Sequence, residues 1–331
     1  MRLEDIGFYT LSDQRALNVS LGTPLKRCEL ILTDACNFKC PYCRGLRKDI
    51  AGTIPYHTAS KIIEYWTKDK LENIRFSGGE PTLYKRLPDL VLQAKSGGVK
   101  RIAVSTNGSA NLSKYEELIK AGVNDFSISL DGGCYTIGDK MSGGITGMWD
   151  KVVKNIKEIS KQSYCSVGMV FTEDNIDNCI DSVMFADSLN VSDIRVIPSA
   201  QYNKALSKLS KLPKQILDKY PILKYRINNI LNGRHVRGIK KVDKHKCWLV
   251  LDDMAIAGDY HFPCIIYLRE GGDPIGKVGA GMRRERLGWI KKHNPYKDPI
   301  CKKNCLDVCI DYNNCAESTH SLTNTGELWV S

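Results

Sequence analysis

The sequence predicts an α/β protein: a partial (β/α)6 TIM-like barrel followed by a small cysteine-rich C-terminal domain. Three observations predict it. Six short apolar runs alternate with helix-period segments across residues 28–200. Five of those runs end in polar or glycine-rich stretches, and six of the 13 cysteines fall after residue 246. Strands alternating with helices imply a parallel sheet, and six units are too few to close the eightfold barrel.

The runs, in order, are CELIL (Cys28–Leu32), NIRFS (Asn73–Ser77), RIAVST (Arg101–Thr106), DFSISL (Asp125–Leu130), YCSVGMVF (Tyr164–Phe171) and DIRVIP (Asp193–Pro198). Helices are predicted near 58–69, 84–96, 112–121, 148–161 and 174–189. Ser113 followed by Glu116 has the capping-box spacing. In the fourth helix Trp149, Val152, Val153, Ile156 and Ile159 share one face. After Ala200 the pattern changes. Residues 201–246 hold 13 Lys and Arg against Asp218 and Asp243, which is the whole net charge of +11. This segment reads as a Lys-studded helical linker, or as an electropositive rim that draws in an anionic substrate. The expected divisions are an N-terminal extension 1–27, the barrel 28–200, the basic segment 201–246 and a tail 247–331.

Composition limits the class. No apolar run approaches the roughly 20 residues of a membrane span, and the first residues, MRLEDIGFYTLSDQRA, lack a secretory apolar core. Without such a signal the cysteines are expected as reduced thiols or metal ligands in the cytoplasm. Six histidines without an i, i+4 pair give no reason to expect a histidine metal site.

In open βα architectures ligands bind at the carboxyl ends of the strands. TDACNFKCPYCRG, just after the first run, places Cys36, Cys40 and Cys43 within eight residues. A structural zinc site uses four ligands, whereas three thiolates on a four-iron cubane leave one iron open. The second run enters SGGEP (Ser77–Pro81), where two glycines permit close backbone approach and Glu80 supplies a carboxylate. The third, fourth and sixth runs end in STNG (Ser105–Gly108), SLDGG (Ser129–Gly133) and VIPS (Val196–Ser199). Taken singly, each is ordinary turn punctuation. GGITG and GAGMRRERLG lack the strand-before, helix-after context of phosphate loops.

CxxxCxxC after the first strand together with GGE after the second resembles the radical S-adenosylmethionine (radical SAM) superfamily. The resemblance covers residues 28–200. It implies a [4Fe–4S] cluster on Cys36, Cys40 and Cys43, with SAM chelating the fourth iron. It further implies SAM contacts from Tyr42, Gly78, Gly79, Glu80, Ser129 and Ile197, with Thr106 and Asn107 close to cofactor or substrate. The implied chemistry is reductive cleavage of SAM to a 5′-deoxyadenosyl radical that abstracts hydrogen from substrate, with a reducing partner such as flavodoxin or ferredoxin. Cys134, after SLDGG, is a candidate hydrogen donor at the mouth.

The tail stretch CWLVLDDMAIAGDYHFPC reads C-x10-G-x5-C. It resembles the opening of the auxiliary-cluster (SPASM or twitch) domains that follow many radical SAM barrels, so the C-terminal domain is expected to be an iron–sulfur domain. CKKNCLDVC has C-x3-C steps where that family has C-x2-C. Cys247, Cys264, Cys305 and Cys309 are the expected ligands of an auxiliary [4Fe–4S] cluster, with Cys301 the alternative and Cys315 spare. A zinc site is the competing use of these thiols. Cys28, Cys165 and Cys179 are expected in the core. The barrel also resembles the GTP cyclase of molybdenum-cofactor synthesis, in which Arg75 matches a nucleotide-contacting arginine. Glu29 stands where that enzyme has an arginine, and the chain ends TGELWVS without its Gly-Gly tail. The substrate is therefore expected to be anionic: a nucleotide or nucleic acid, contacted through the basic segment with its Tyr202, Tyr220 and Tyr225, or an acidic peptide modified by a maturase. Outside enzymes, the alternative is a zinc- or iron–sulfur-stabilised binding or electron-transfer protein.

Overall fold

The computed structural model describes residues 15–50, 52–199, 205–240, 242–243 and 246–323. Expectations for Tyr202, Lys241, Lys244 and the final TGELWVS lie outside these residues. All six predicted strands form: β1 (Arg27–Ile31), β2 (Asn73–Ser77), β3 (Arg101–Thr106), β4 (Asp125–Ser129), β5 (Tyr164–Phe171) and β6 (Asp193–Pro198). They pair in parallel with their sequence neighbours. This is the open, sequential sheet of a partial barrel, so all six carboxyl ends share one edge. β2 is buried at all five positions, as a strand covered on both faces must be.

Helices Tyr56–Lys68, Leu87–Ser96, Leu112–Ala121, Met148–Ile159 and Cys179–Ser188 cover the sheet. Val152, Val153, Ile156 and Ile159 are buried as the 3.6-residue period requires, and Trp149 packs on Phe185 with ring centroids 5.0 Å apart. The capping box does not form. Helix Leu112–Ala121 starts two residues earlier than a Ser113 cap would dictate, with Asn111 at the N-cap and no side-chain cap bond.

The tail joins the same sheet. β7 (Ala255–Ala257) runs parallel to β1 on its free edge, in the register Glu29↔Ala255 to Ile31↔Ala257. Antiparallel β8 (Tyr260–Phe262) and β9 (Gly276–Lys277) extend it. Met254, Ile256, Met282 and Leu306 belong to the same buried core as the barrel strands. An ion pair between Arg27 and Asp252, both nearly inaccessible, fastens the start of β1 to the tail.

The basic segment is not an exposed linker. Its helices Lys214–Lys219 and Pro221–Leu231 bury Ile216, Leu223 and Ile227 in the barrel core, the second against β6. Five of its cations are paired with acids. Lys208 pairs with Asp177, Lys219 with Asp187, Lys224 with Asp218, Arg226 with Asp307 and Arg234 with Asp311. Four of these five acids lie outside the segment. Lys211, Lys214 and Lys240 are exposed, and Arg237 of the same segment lines a cavity at the strand ends. Among the described residues no helix is long and apolar enough to cross a membrane.

Candidate active site at the carboxyl edge

The cysteine loop leaves β1 and crosses over the turn that follows β2. Gly79 N donates to Thr33 O (2.6 Å) and Glu80 N to Ala35 O (2.8 Å). A Cβ on Gly78 would lie 2.4 Å from Thr33 O, and one on Gly79 2.3 Å from Ala35 O. Gly78 also has φ +155°. The closely approaching group that requires the glycines is therefore the chain's own cysteine loop.

Glu80 is 0 % exposed. Its Oε1 accepts from Thr82 N (3.0 Å), Thr82 Oγ1 (2.6 Å) and Thr106 Oγ1 (2.7 Å), and its Oε2 from Asn107 N (2.7 Å). Burial pushes the carboxyl pKa up, and these donors oppose the shift. The enclosed Glu80 carboxylate ties the β2 turn to the end of β3. Asn107 continues the chain of contacts, donating to Asn37 Oδ1 (2.9 Å) and approaching Cys36 Sγ at 3.8 Å.

Cys36 and Cys43 are exposed at the edge and Cys40 is half-buried. The Cys40 thiol is pushed up to about 12 by burial first, then by Asp131, Cys43 and Cys36. A cationic cluster would take the three as thiolates. Tyr42 donates to Asp131 Oδ2 (2.5 Å), and Asp131 Oδ1 accepts from Val170 N (2.6 Å). These bonds fix the loop between the ends of β4 and β5. Burial raises the Asp131 carboxyl to about 6.

A cavity of about 350 Å³ opens beside this loop. Cys36, Tyr42, Cys43, Gly78, Gly79, Arg75 and Ile197 all line it, so most of the sequence-predicted site converges there. Arg75 is 3 % exposed and donates to Ser105 Oγ (2.8 Å). Glu29, its register partner across β1 and β2, also lines the cavity and accepts from Ser77 Oγ (2.6 Å). Arg44, Arg237 and Arg269 complete the cationic wall. Sequence reasoning missed these three because each comes from a loop or a short helix, where no period marks a lining residue. Ser129 borders a separate pocket of about 30 Å³ with Cys40 and Asp131. Cys134 is not brought to the cavity. Gly133 N donates to Ser182 Oγ (3.0 Å), so the chain after Asp131 turns toward the outer helix Cys179–Ser188. Cys134 lies on that side with its Sγ 3.1 Å from Thr136 Oγ1.

In the tail, Cys247, Cys264, Cys301, Cys305 and Cys309 share one neighbourhood. Burial is the first cause of every one of their raised pKa values, and neighbouring tail thiols raise all but Cys247 further. Cys247 is pushed up to about 11 and Cys264 to about 12. Among the described residues, the group of His, Cys, Asp or Glu ligand atoms lying within 4.8 Å of one another is His293, Asp298 and Cys301, a cluster the scattered histidines gave no reason to expect. No three of the tail thiols approach that closely. Cys315 packs, with Cys247 and Cys309, against the cluster that holds Trp248, Leu249 and Tyr312.

An open parallel sheet with a three-thiol loop over its carboxyl edge defines a barrel protein built to hold a metal cluster beside a ligand cavity. Residues 30–186, a little under half of the chain, match the Radical SAM superfamily profile, and this match together with the relatives below supports a radical SAM enzyme. It is 25% identical over 306 residues to a probable GTP 3',8-cyclase of Methanocella arvoryzae, covering 88% of this chain and 96% of that one. A probable GTP 3',8-cyclase of Metallosphaera sedula is 26% identical over 183 residues, covering 53% of this chain and 56% of that one. The chain thus spans little more than half the length of some curated relatives it matches. Among solved structures, Streptococcus suis SuiB shares the fold with a TM-score of 0.57 at 17% identity, over 88% of this chain and 69% of that one. Native anSMEcpe with bound AdoMet gives 0.58 at 16%, over 90% and 95%.

Proposed function

We propose that the chain reductively cleaves SAM and uses the resulting radical to abstract hydrogen from an anionic substrate of nucleotide type held in the arginine-lined cavity. The observation that carries this reading is the cavity itself, lined by Cys36 and Cys43 together with Arg75, Arg237 and Arg269. About 350 Å³ falls within the usual range for a small-molecule site, and the names of the relatives agree with a nucleotide. Cys36, Cys40 and Cys43 would hold a [4Fe–4S] cluster. When bound, it supplies the electron that breaks the S–C5′ bond of SAM. The chain's own part is to orient and to exclude water. Tyr42, Gly78, Gly79 and Ile197 border the space SAM would fill, Ser129 lies just beyond it, and Glu80 braces the turn from behind. In the tail, Cys247, Cys264, Cys305 and Cys309, with Cys301 the alternative, would hold an auxiliary [4Fe–4S] cluster. A flavodoxin or ferredoxin would deliver the electron.

The test is iron, sulfide and zinc per chain after anaerobic reconstitution, with 5′-deoxyadenosine formation under reduction. About eight irons, falling to about four in a Cys36/Cys40/Cys43→Ala triple variant, are expected for two cubanes. Zinc in place of iron, or iron unchanged in the variant, overturns the reading. Protection of the cavity by nucleoside triphosphates but not by acidic peptides separates the substrate classes.

A further inference from the structure

The loop carrying Cys36, Cys40 and Cys43 is held from outside the barrel by the stretch that follows Cys264. Arg269 Nη1 donates to Gly45 O (2.9 Å) and its Nη2 to Gly78 O (2.8 Å), so one guanidinium joins the end of the cysteine loop to the β2 turn. Arg44 forms an ion pair with Glu270. Arg47 Nη1 donates to Gly272 O (2.9 Å) and Asp273 Oδ1 (3.3 Å). Three consecutive contacts thus link residues 44–47 to residues 269–273. The five-residue helix Ile265–Arg269 separates this clasp from Cys264, whose Sγ accepts from Tyr267 N at 3.4 Å. At about 1.5 Å of rise per residue, the auxiliary thiol and the guanidinium are joined by a short, stiff piece of chain.

We propose that Arg269 is a positioning residue for the SAM site, and that the site is completed only when the auxiliary segment is docked. The inference rests on the reading above. Arg269 reaches two carbonyls from two different turns, and its planar fork suits two acceptors at once. Gly45 needs such an anchor. It has φ +62° two residues after Cys43, and a Cβ there would meet nothing within 4 Å, so packing does not hold it. Gly78 O lies on the turn that borders the cavity. Losing the guanidinium frees both turns while leaving every cysteine in place.

The experiment uses the anaerobically reconstituted full chain. It measures iron content, SAM affinity by equilibrium dialysis, and the change that SAM makes in the EPR spectrum of the reduced protein. Arg269→Ala is expected to keep its iron, to bind SAM at least about tenfold more weakly, as for loss of charge-assisted hydrogen bonds, and to lose most of the SAM-induced spectral change. Arg269→Lys, which can serve one carbonyl at a time, should fall between. SAM affinity within twofold of wild type, with iron unchanged, overturns the proposal. If Arg269→Ala loses iron, Glu270→Gln decides, because Glu270 touches the clasp without lining the cavity. About threefold weaker SAM binding at full iron supports the proposal, and unchanged binding overturns it. Wild-type protein that carries iron but does not bind SAM defeats the functional reading and this inference with it. Wild-type binding with unaltered variants defeats this inference alone.

Discussion

Gly79 shows how a residue can look like a ligand contact and be a packing constraint. Its missing side chain leaves room for Asp34 O and Ala35 O, which a Cβ would approach within 2.5 and 2.3 Å. Both are backbone atoms and cannot rotate away. Gly79→Ala should therefore destabilise the fold by about 2 kcal/mol and displace the cysteine loop. Urea denaturation with iron analysis checks this, and an unaltered midpoint at full iron would contradict it. Asp193 makes a second residue-scale prediction. Burial raises its carboxyl to about 6, with Arg195 opposing. An aspartate that titrates near 4 unfolded and near 6 folded stabilises the fold below pH 4, and that contribution is lost as pH rises through 6. Asp193→Asn should close a gap of about 2 kcal/mol between pH 4.5 and 7.5, read as the difference between the two proteins' melting curves. The sequence made the cysteine triplet legible because its spacing is local. It could not separate the role of Glu80 from that of Arg75, since both are buried and only the fold shows that Arg75 lines the cavity.

At the scale of elements, helix Pro221–Leu231 and helix Asp307–Thr323 are bolted together by Arg226 and Asp307, whose side chains are 6% and 0% accessible. Asn229 adds a bond to Asp307 Oδ2 (2.9 Å). Removing one member of such a pair strands the other, so Arg226→Ala should cost about 3–5 kcal/mol. Arg226→Met combined with Asp307→Leu should recover much of that loss, which a denaturation cycle would measure. The strands and barrel helices were legible because periods of 2 and 3.6 recur across 170 residues of ordinary βα alternation. The tail was not legible in the same way. β7, β8 and β9 are two or three residues long, shorter than any periodic signal, and their place in the sheet is set by pairing with β1.

For the whole molecule, the net charge of +11 misleads if it is read along the chain. Three lysines of the basic segment pair with acids, two of them outside the segment, whereas Arg75, Arg237 and Arg269 gather at the cavity from three distant stretches. Surface ion pairs contribute little to long-range attraction at physiological salt. Replacing Lys208, Lys219 and Lys224 together by Gln should leave KM for an anionic substrate within about twofold. Arg237→Gln should raise it by about tenfold or more, as expected for a charge-assisted contact. Steady-state kinetics at two ionic strengths distinguishes the cases, and a larger effect from the lysines would restore the rim.

The pairing of β7 with β1 also has a consequence for biogenesis. β1 is among the first strands made, yet the neighbour that covers its outer edge emerges from the ribosome long after β6 has been completed. Until then Leu30 and Ile31 border an unpaired strand edge, the kind of surface that templates association between chains. A nascent barrel therefore passes through a stage in which it is nearly finished and still adhesive. A version of this protein truncated before Ala255 is expected to precipitate at concentrations where the full chain remains dispersed, and light scattering during refolding of the two would show it.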